Sequence, residues 1–172
     1  MRVDIATLKD GPCRFSGTMA VPSETHPGSE ANRSAPIAFA ATVELDGDSV
    51  RVTGWLHSTV HVACSRCLET TPVTVDRDLQ LVFHAADKAP GSGDTELDAQ
   101  RLDVDYHSDG SLDLRSVMAE QVLLGLPMKP LCSDDCQGLC PQCGANRGRQ
   151  ACDCQPAVDA RLSPLAALLD RQ

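Results

Sequence analysis

The sequence predicts an α+β fold: an antiparallel β-meander, one main helix and a C-terminal Cys-rich ribbon. Three observations predict it. Three consecutive segments alternate apolar and polar residues with period two. A later segment carries an apolar stripe at helical spacing behind a capping residue. Eight of the nine cysteines fall in close pairs, three of those pairs toward the C-terminal end.

In the first alternating segment Ile37, Phe39, Ala41, Val43 and Leu45 share one face, with Thr42, Glu44 and Asp46 on the other. The second puts Val50, Val52, Leu56, Val60 and Val62 on one side. In the third, Val73, Val75, Leu79, Leu81 and Phe83 alternate with Thr74, Asp76, Asp78 and Gln80. Such alternation is what a sheet with a single buried face requires. Asp46-Gly47-Asp48 joins the first two segments as a hairpin turn. Cys64-Ser65-Arg66-Cys67 occupies the turn between the second and third. Phe15 to Val21 is a candidate for a further short strand, and Leu102 to Tyr106 alternates and runs into a Ser108-Asp109-Gly110 turn.

Asp113 is placed to N-cap a helix with Leu114, Val117, Met118, Val122 and Leu124 on one stripe. Leu126-Pro127 ends it, because a residue before proline is disfavoured in the helical region. Ser163-Pro164 opens a short terminal helix running to Leu169. Residues 22–36 and 87–98, rich in Pro, Gly, Ser and charge, read as mobile loops. The expected organisation is a sheet-plus-helix domain over 1–130 and a zinc-binding Cys-rich segment with a helical tail over 131–172.

Net charge is −9 and the pI about 4.8, which argues against affinity for bare nucleic acid driven by phosphate neutralisation. A basic protein partner, or a nucleic acid already carrying basic proteins, fits the sign; plain solubility explains it as well. No apolar run reaches the length of a membrane span. Met1-Arg2-Val3-Asp4-Ile5 has neither a signal-peptide apolar region nor the Arg/Ser bias of a transit peptide. The expected location is therefore cytoplasmic, where thiols stay reduced.

In that setting, the cysteine pairs are metal ligands. Their spacings are C-x2-C at Cys64/Cys67, C-x3-C at Cys132/Cys136, C-x2-C at Cys140/Cys143 and C-x-C at Cys152/Cys154, with Cys13 left over. Four thiolates from two such elements complete a tetrahedral Zn²⁺ site. Gly144, after Cys143, permits the positive φ that a C-x2-C-G turn uses. The favoured partition is two structural Zn²⁺ sites: a local ribbon of Cys140, Cys143, Cys152 and Cys154, and a long-range staple of Cys64, Cys67, Cys132 and Cys136. The rival is one site within 132–154 with Cys64 and Cys67 free. Two Zn²⁺ on eight thiolates would take the net charge to about −13.

Sites made only of cysteine are closed, whereas catalytic zinc keeps an open position; no enzymatic role and no small-molecule substrate are expected. A redox C-x2-C usually begins a helix, and Cys64/Cys67 lies between strands instead. His57 and His61 share the outer strand face with Trp55 and Thr59. That face suits solvent or a partner better than metal, and Trp55 is either a partner anchor or part of a second packed layer. Cys13 is a packing residue. Arg147 and Arg149, with Lys129 and Arg66, are either ordinary surface charges or a basic patch at the zinc end.

The motifs VACSRCLE (62–69), SLDLRSVMAEQVLLGLPMKPLC (111–132), CSDDCQGLCPQCGAN (132–146), CDC (152–154) and DARLSPLAALL (159–169) together resemble the YceD family. The resemblance runs from about residue 37 to the end. Cys64 and Cys67 match the family's C-x-R-C, Cys132, Cys136, Cys140 and Cys143 its cysteine-rich run, and Cys152 and Cys154 its closing C-x-C. Where the family usually has Asn-Leu-Asn, this chain has Asn146-Arg147-Gly148. The resemblance implies a non-enzymatic role in large-subunit ribosomal RNA accumulation or processing. The partner it implies is a pre-50S ribosomal particle, met through ribosomal protein, with direct rRNA contact left open. The alternatives are a zinc-ribbon adaptor for a non-ribosomal protein and a redox-sensing zinc switch.

Overall fold

A computed structural model describes residues 1–20, 36–89, 104–154 and 161. Its elements are β1 (Arg2–Asp4), a 3-10 helix (Ile5–Asp10), β2 (Cys13–Met19), β3 (Ile37–Asp46), β4 (Ser49–Ala63), β5 (Thr70–Ala85), a 3-10 turn (Ala86–Lys88), β6 (Val104–His107), β7 (Ser111–Asp113) and α1 (Leu114–Leu124). The expected terminal helix at 163–169 lies outside the described residues. So do nearly all of the expected loop at 22–36 and most of that at 87–98.

The alternating segments become β3, β4 and β5, and their apolar faces point the same way. Ile37, Phe39 and Val43 of β3, Val50, Val52, Leu56 and Val60 of β4, and Val75, Leu79 and Phe83 of β5 are buried in one core. Asp46 pairs with Ser49, so the β3–β4 hairpin closes through the two-residue loop Gly47-Asp48. The expected strand at Phe15 to Val21 is β2, shifted two residues toward the N-terminus and paired antiparallel with β3. The five-stranded sheet has the order β2-β3-β4-β5-β6.

The meander is antiparallel from β3 through β5, as expected for 37–83; β6, whose direction the sequence leaves open, pairs with β5 in parallel, from Val82↔Val104 to Ala85↔His107. Alternation fixes which face of a strand is buried but not its direction. The stretch between Ala85 and Val104 exceeds the dozen or so residues a parallel crossover needs. A second sheet, which the sequence gives little sign of, pairs β1 with β7 antiparallel.

α1 closes the core from the inner side through Leu114, Val117, Met118 and Val122. Val3, Leu8 and Leu112 extend this cover. Asp113 caps the helix as expected, its carboxylate accepting from the Arg115 N–H at 3.0 Å. Leu124 departs from the expected stripe and is 63% exposed; the chain turns at Gly125, and Leu126 packs against the core in its place. Among the described residues, no helix is long and apolar enough to cross a membrane.

One feature of the ladder positions the site. β3 follows β4 only as far as Ala38↔His57, while the β4–β5 ladder continues to Ala63↔Thr70. The distal β4–β5 hairpin therefore projects past β3 and carries Cys64 to Cys67 on its tip.

Gly54 marks a close approach of β4 to β3. Its φ is +149°, and a Cβ there would sit 2.0 Å from the Ala40 carbonyl oxygen. Gly17, at φ +151°, faces open space. Gly54→Ala is expected to cost about 3 kcal/mol of stability and Gly17→Ala about 1 kcal/mol, measured by urea unfolding in metal-replete buffer. Equal losses at the two positions would mean that the Ala40 contact is unimportant.

Candidate metal centre

The eight paired cysteines converge into two groups of four, and the sulfur atoms within each group lie within 4.8 Å of one another. Cys64 and Cys67 on the hairpin tip meet Cys132 and Cys136 beyond α1. Cys140 and Cys143 meet Cys152 and Cys154. The structure thus gathers the cysteines as the two-group partition has it, and Cys64 and Cys67 are not left apart. Cys13 joins neither group and packs against the core from β2.

The separations discriminate between chemistries. Cys64 and Cys136 sulfurs are 3.8 Å apart, those of Cys67 and Cys132 3.7 Å, and those of Cys143 and Cys152 3.5 Å. A disulfide would bring them to about 2.05 Å. A tetrahedron with metal–sulfur bonds near 2.3 Å has edges of about 3.8 Å. The donor sets fit a tetrahedral thiophilic dication.

Each group is built on the same backbone turn. In the first, the Cys64 N–H donates to the Glu69 carbonyl at 2.8 Å and the Leu68 N–H to the Cys64 carbonyl at 2.9 Å. In the second, the Cys140 N–H donates to the Ala145 carbonyl at 2.8 Å and the Gly144 N–H to the Cys140 carbonyl at 2.9 Å. The turn needs positive φ at the residue after its second cysteine. Gly144 supplies it at 74°, but in the first turn Leu68 takes 61°, a conformation that is uncommon for a side chain of this size. Only the glycine is legible as a turn signal; the leucine gives none.

These turns aim backbone N–H groups at their leading sulfurs. The N–H groups of Cys67 and Arg66 lower the Cys64 thiol to about 6. Those of Cys143 and Gln142 do the same for Cys140, again to about 6. The remaining sulfurs crowd each other. The Glu69 N–H favours the Cys67 thiolate, yet burial and the sulfurs of Cys64, Cys132 and Cys136 push that thiol up to about 12. Cys154 is pushed up to about 12 by Cys152 and Cys143 together with burial. Each group therefore has one thiolate prepared by backbone dipoles, beside thiols held back by burial and neighbouring sulfurs: Cys67 and Cys132 in the first, Cys152 and Cys154 in the second.

The first turn also ties the two groups together. The Arg66 guanidinium donates to the carbonyls of Asp134 and Cys136, both at 2.9 Å. Its backbone carbonyl accepts from the Leu139 N–H at 3.0 Å, and the Ser65 N–H donates to Pro130. The Glu69 carboxylate accepts from Asn146 Nδ2 at 2.8 Å and pairs with Arg149 at 2.6 Å. Arg147 reaches Cys140 Sγ at 3.9 Å. Arg66, Arg147 and Arg149 are thus fasteners around the sulfurs and not a free basic patch. Asn146 organises the loop where the departure from Asn-Leu-Asn occurs: its side-chain oxygen accepts from the Gly148 N–H and its carbonyl from Arg149 and Gln150. Glu69 is a supporting residue that spacing alone does not mark.

The histidines on the outer strand face stay away from both groups. His57 pairs with Asp76 at 2.5 Å, and His61 is exposed.

The family described as large ribosomal RNA subunit accumulation protein YceD matches residues 52–169. The chain belongs to the YceD family. The match starts within β4, later than the residue 37 suggested by the motifs, and takes in both cysteine groups. An uncharacterized protein of Mycobacterium tuberculosis is 30% identical over 98% of this chain and 81% of its own length. An uncharacterized protein of Mycobacterium leprae is 33% identical over 65% of this chain and 49% of its own. In maize, a chloroplastic large ribosomal RNA subunit accumulation protein YCED homolog is 25% identical over 76% of this chain and 52% of its own. No solved structure matches the chain.

Titration of the reduced apoprotein with Co²⁺ is expected to saturate at two equivalents, with thiolate-to-cobalt absorption and release of protons. Because thiol protons must leave, affinity falls as pH is lowered. Cys67→Ser and Cys143→Ser are each expected to retain one full equivalent, and Cys13→Ser two. Saturation at one equivalent in the wild type would rule out two independent four-sulfur sites.

Proposed function

We propose that this YceD-family chain promotes accumulation of large-subunit ribosomal RNA in the cytoplasm, as a non-enzymatic factor docking on a large-subunit precursor particle. Family membership carries this reading: the matched family and the maize relative both bear that function in their names. The eight cysteines hold two structural Zn²⁺ ions, and four sulfurs in each group leave no open coordination position for a substrate. The zinc fixes shape. It holds the hairpin tip against the segment after α1, so a chain of modest size presents a rigid surface.

The acidic balance of −9 fits a basic ribosomal protein as the contact better than exposed rRNA. Deleting the gene is expected to lower mature large-subunit rRNA relative to small-subunit rRNA, and to raise precursor species, with restoration by the wild-type chain but not by Cys67→Ser. Quantifying both rRNAs with subunit profiles on gradients tests this. A deletion strain with normal profiles and normal precursor levels would sink the ribosomal reading.

Zinc itself is tested separately by elemental analysis of purified protein, with two ions per chain expected. Chelation is expected to shift the thermal unfolding midpoint down by about 10 °C or more, since structural zinc contributes free energy directly to the folded state. An unfolding midpoint indifferent to chelator would remove the structural role.

A further inference from the structure

α1 and the N-terminal elements cover one face of the five-stranded sheet. The other face is open among the described residues, with Trp55, His57, Asp76, Asp78 and Gln80 all exposed on it. Its centre has a specific chemistry. Trp55, the only tryptophan in the chain, stands 47% exposed on the middle strand β4. Across the ladder it lies between Ala40 of β3 and Asp78 of β5. Ala40 is too small to cover the indole, and Ala38 beside His57 leaves the next row equally bare.

The Asp78 carboxylate has no hydrogen-bond or ion-pair partner among the described residues. Two positions along β5, Asp76 pairs with His57. On the same face of the sheet, the Arg51 guanidinium is held by Asp46. A depression of about 610 Å³ opens beside this row, lined in part by Thr53, Asp78, Gln80 and Val82.

An exposed indole face attracts a cation through its quadrupole, and a guanidinium also stacks on it. Residues directly opposite in a ladder have Cβ atoms about 5 Å apart, so a cation on the Trp55 ring is within reach of the free Asp78 carboxylate. We propose that this open face docks a basic protein segment in extended conformation, with an arginine side chain seated between Trp55 and Asp78. Alternate residues of an extended chain are about 6.8 Å apart, the same interval that separates Asp78 from Asp76, so the side chain two residues on falls over the His57–Asp76 pair. The net charge of −9 attracts such a segment from a distance. An RNA strand would bring phosphates against the same carboxylates. The proposal rests on the ribosomal reading only for the source of the segment.

The test uses the full-length, zinc-loaded protein and a fluorescein-labelled peptide of about twelve residues alternating Arg and Ser, with spacing taken from the strand repeat. Fluorescence anisotropy is expected to show saturable binding that weakens at higher salt. Trp55→Ala and Asp78→Asn are each expected to weaken it at least about fivefold, Trp55→Tyr less than Trp55→Ala, and the remote Asp109→Asn not at all. Circular dichroism and zinc content check that each variant is folded. Amide shifts in the wild type are expected to move on β4 and β5 around residues 53–57 and 76–80. Equal affinity in wild type, Trp55→Ala and Asp78→Asn would overturn the proposal, as would tighter binding of single-stranded poly-uridylate to this face. Because the components are purified, the assay can fail while rRNA accumulation still depends on the chain, and succeed while it does not.

Discussion

The convergence of Cys64 and Cys67 with Cys132 and Cys136 is the constraint on which the C-terminal third of the structure depends. The distal β4–β5 hairpin has no β3 beside it, and a two-stranded ribbon by itself is marginal in water. Beyond α1, residues 125–154 contribute no element longer than a turn or an isolated bridge. Neither part has the apolar surface to hold the other. The four gathered sulfurs stand where the tip meets the segment after α1, beside the hydrogen bonds that Ser65 and Arg66 make to that segment.

The second group then follows from the first. Arg66 and Glu69, both on the first turn, supply the carbonyl and carboxylate that position Leu139, Asn146 and Arg149. Those residues flank Cys140 and Cys143. Hydrogen bonds between the two turns thus carry geometry from one set of sulfurs to the other. The common backbone pattern of the turns gives each one low-pKa cysteine, Cys64 and Cys140. Leu68 shows how strongly this geometry is imposed, since it adopts a positive φ while 65% exposed. That conformation costs a leucine about 1 kcal/mol that a glycine would not lose.

The same ladder that builds the core also divides the molecule's chemistry. Even-numbered positions of β4 turn toward the core and, apart from Gly54 and the buried Ser58, are apolar, whereas the odd-numbered ones carry Arg51, Trp55, His57 and His61 outward. One face is buried in the core and the opposite face is exposed among the described residues. The two cysteine groups lie beyond the end of this sheet, at and around the tip of the long β4–β5 hairpin.

By itself the sequence determined the elements whose signals are local. Alternation in 37–83 fixed the buried faces of three strands, Asp46-Gly47-Asp48 fixed their hairpin, and Asp113 fixed the start of α1. Cysteine spacing marked the candidate ligand residues and favoured the two groups of four that the structure gathers, because short ligand pairs are geometric units that can be read without the fold. Only the tertiary structure decided the parallel placement of β6, the β1–β7 sheet, the outward turn of Leu124 and the engagement of Arg66, Arg147 and Arg149 around the sulfurs. The physical reason is the same in each case. Strand direction, a two-stranded pairing of distant segments and the partner of a surface arginine depend on which remote residues arrive alongside, and no local period or spacing encodes that arrival.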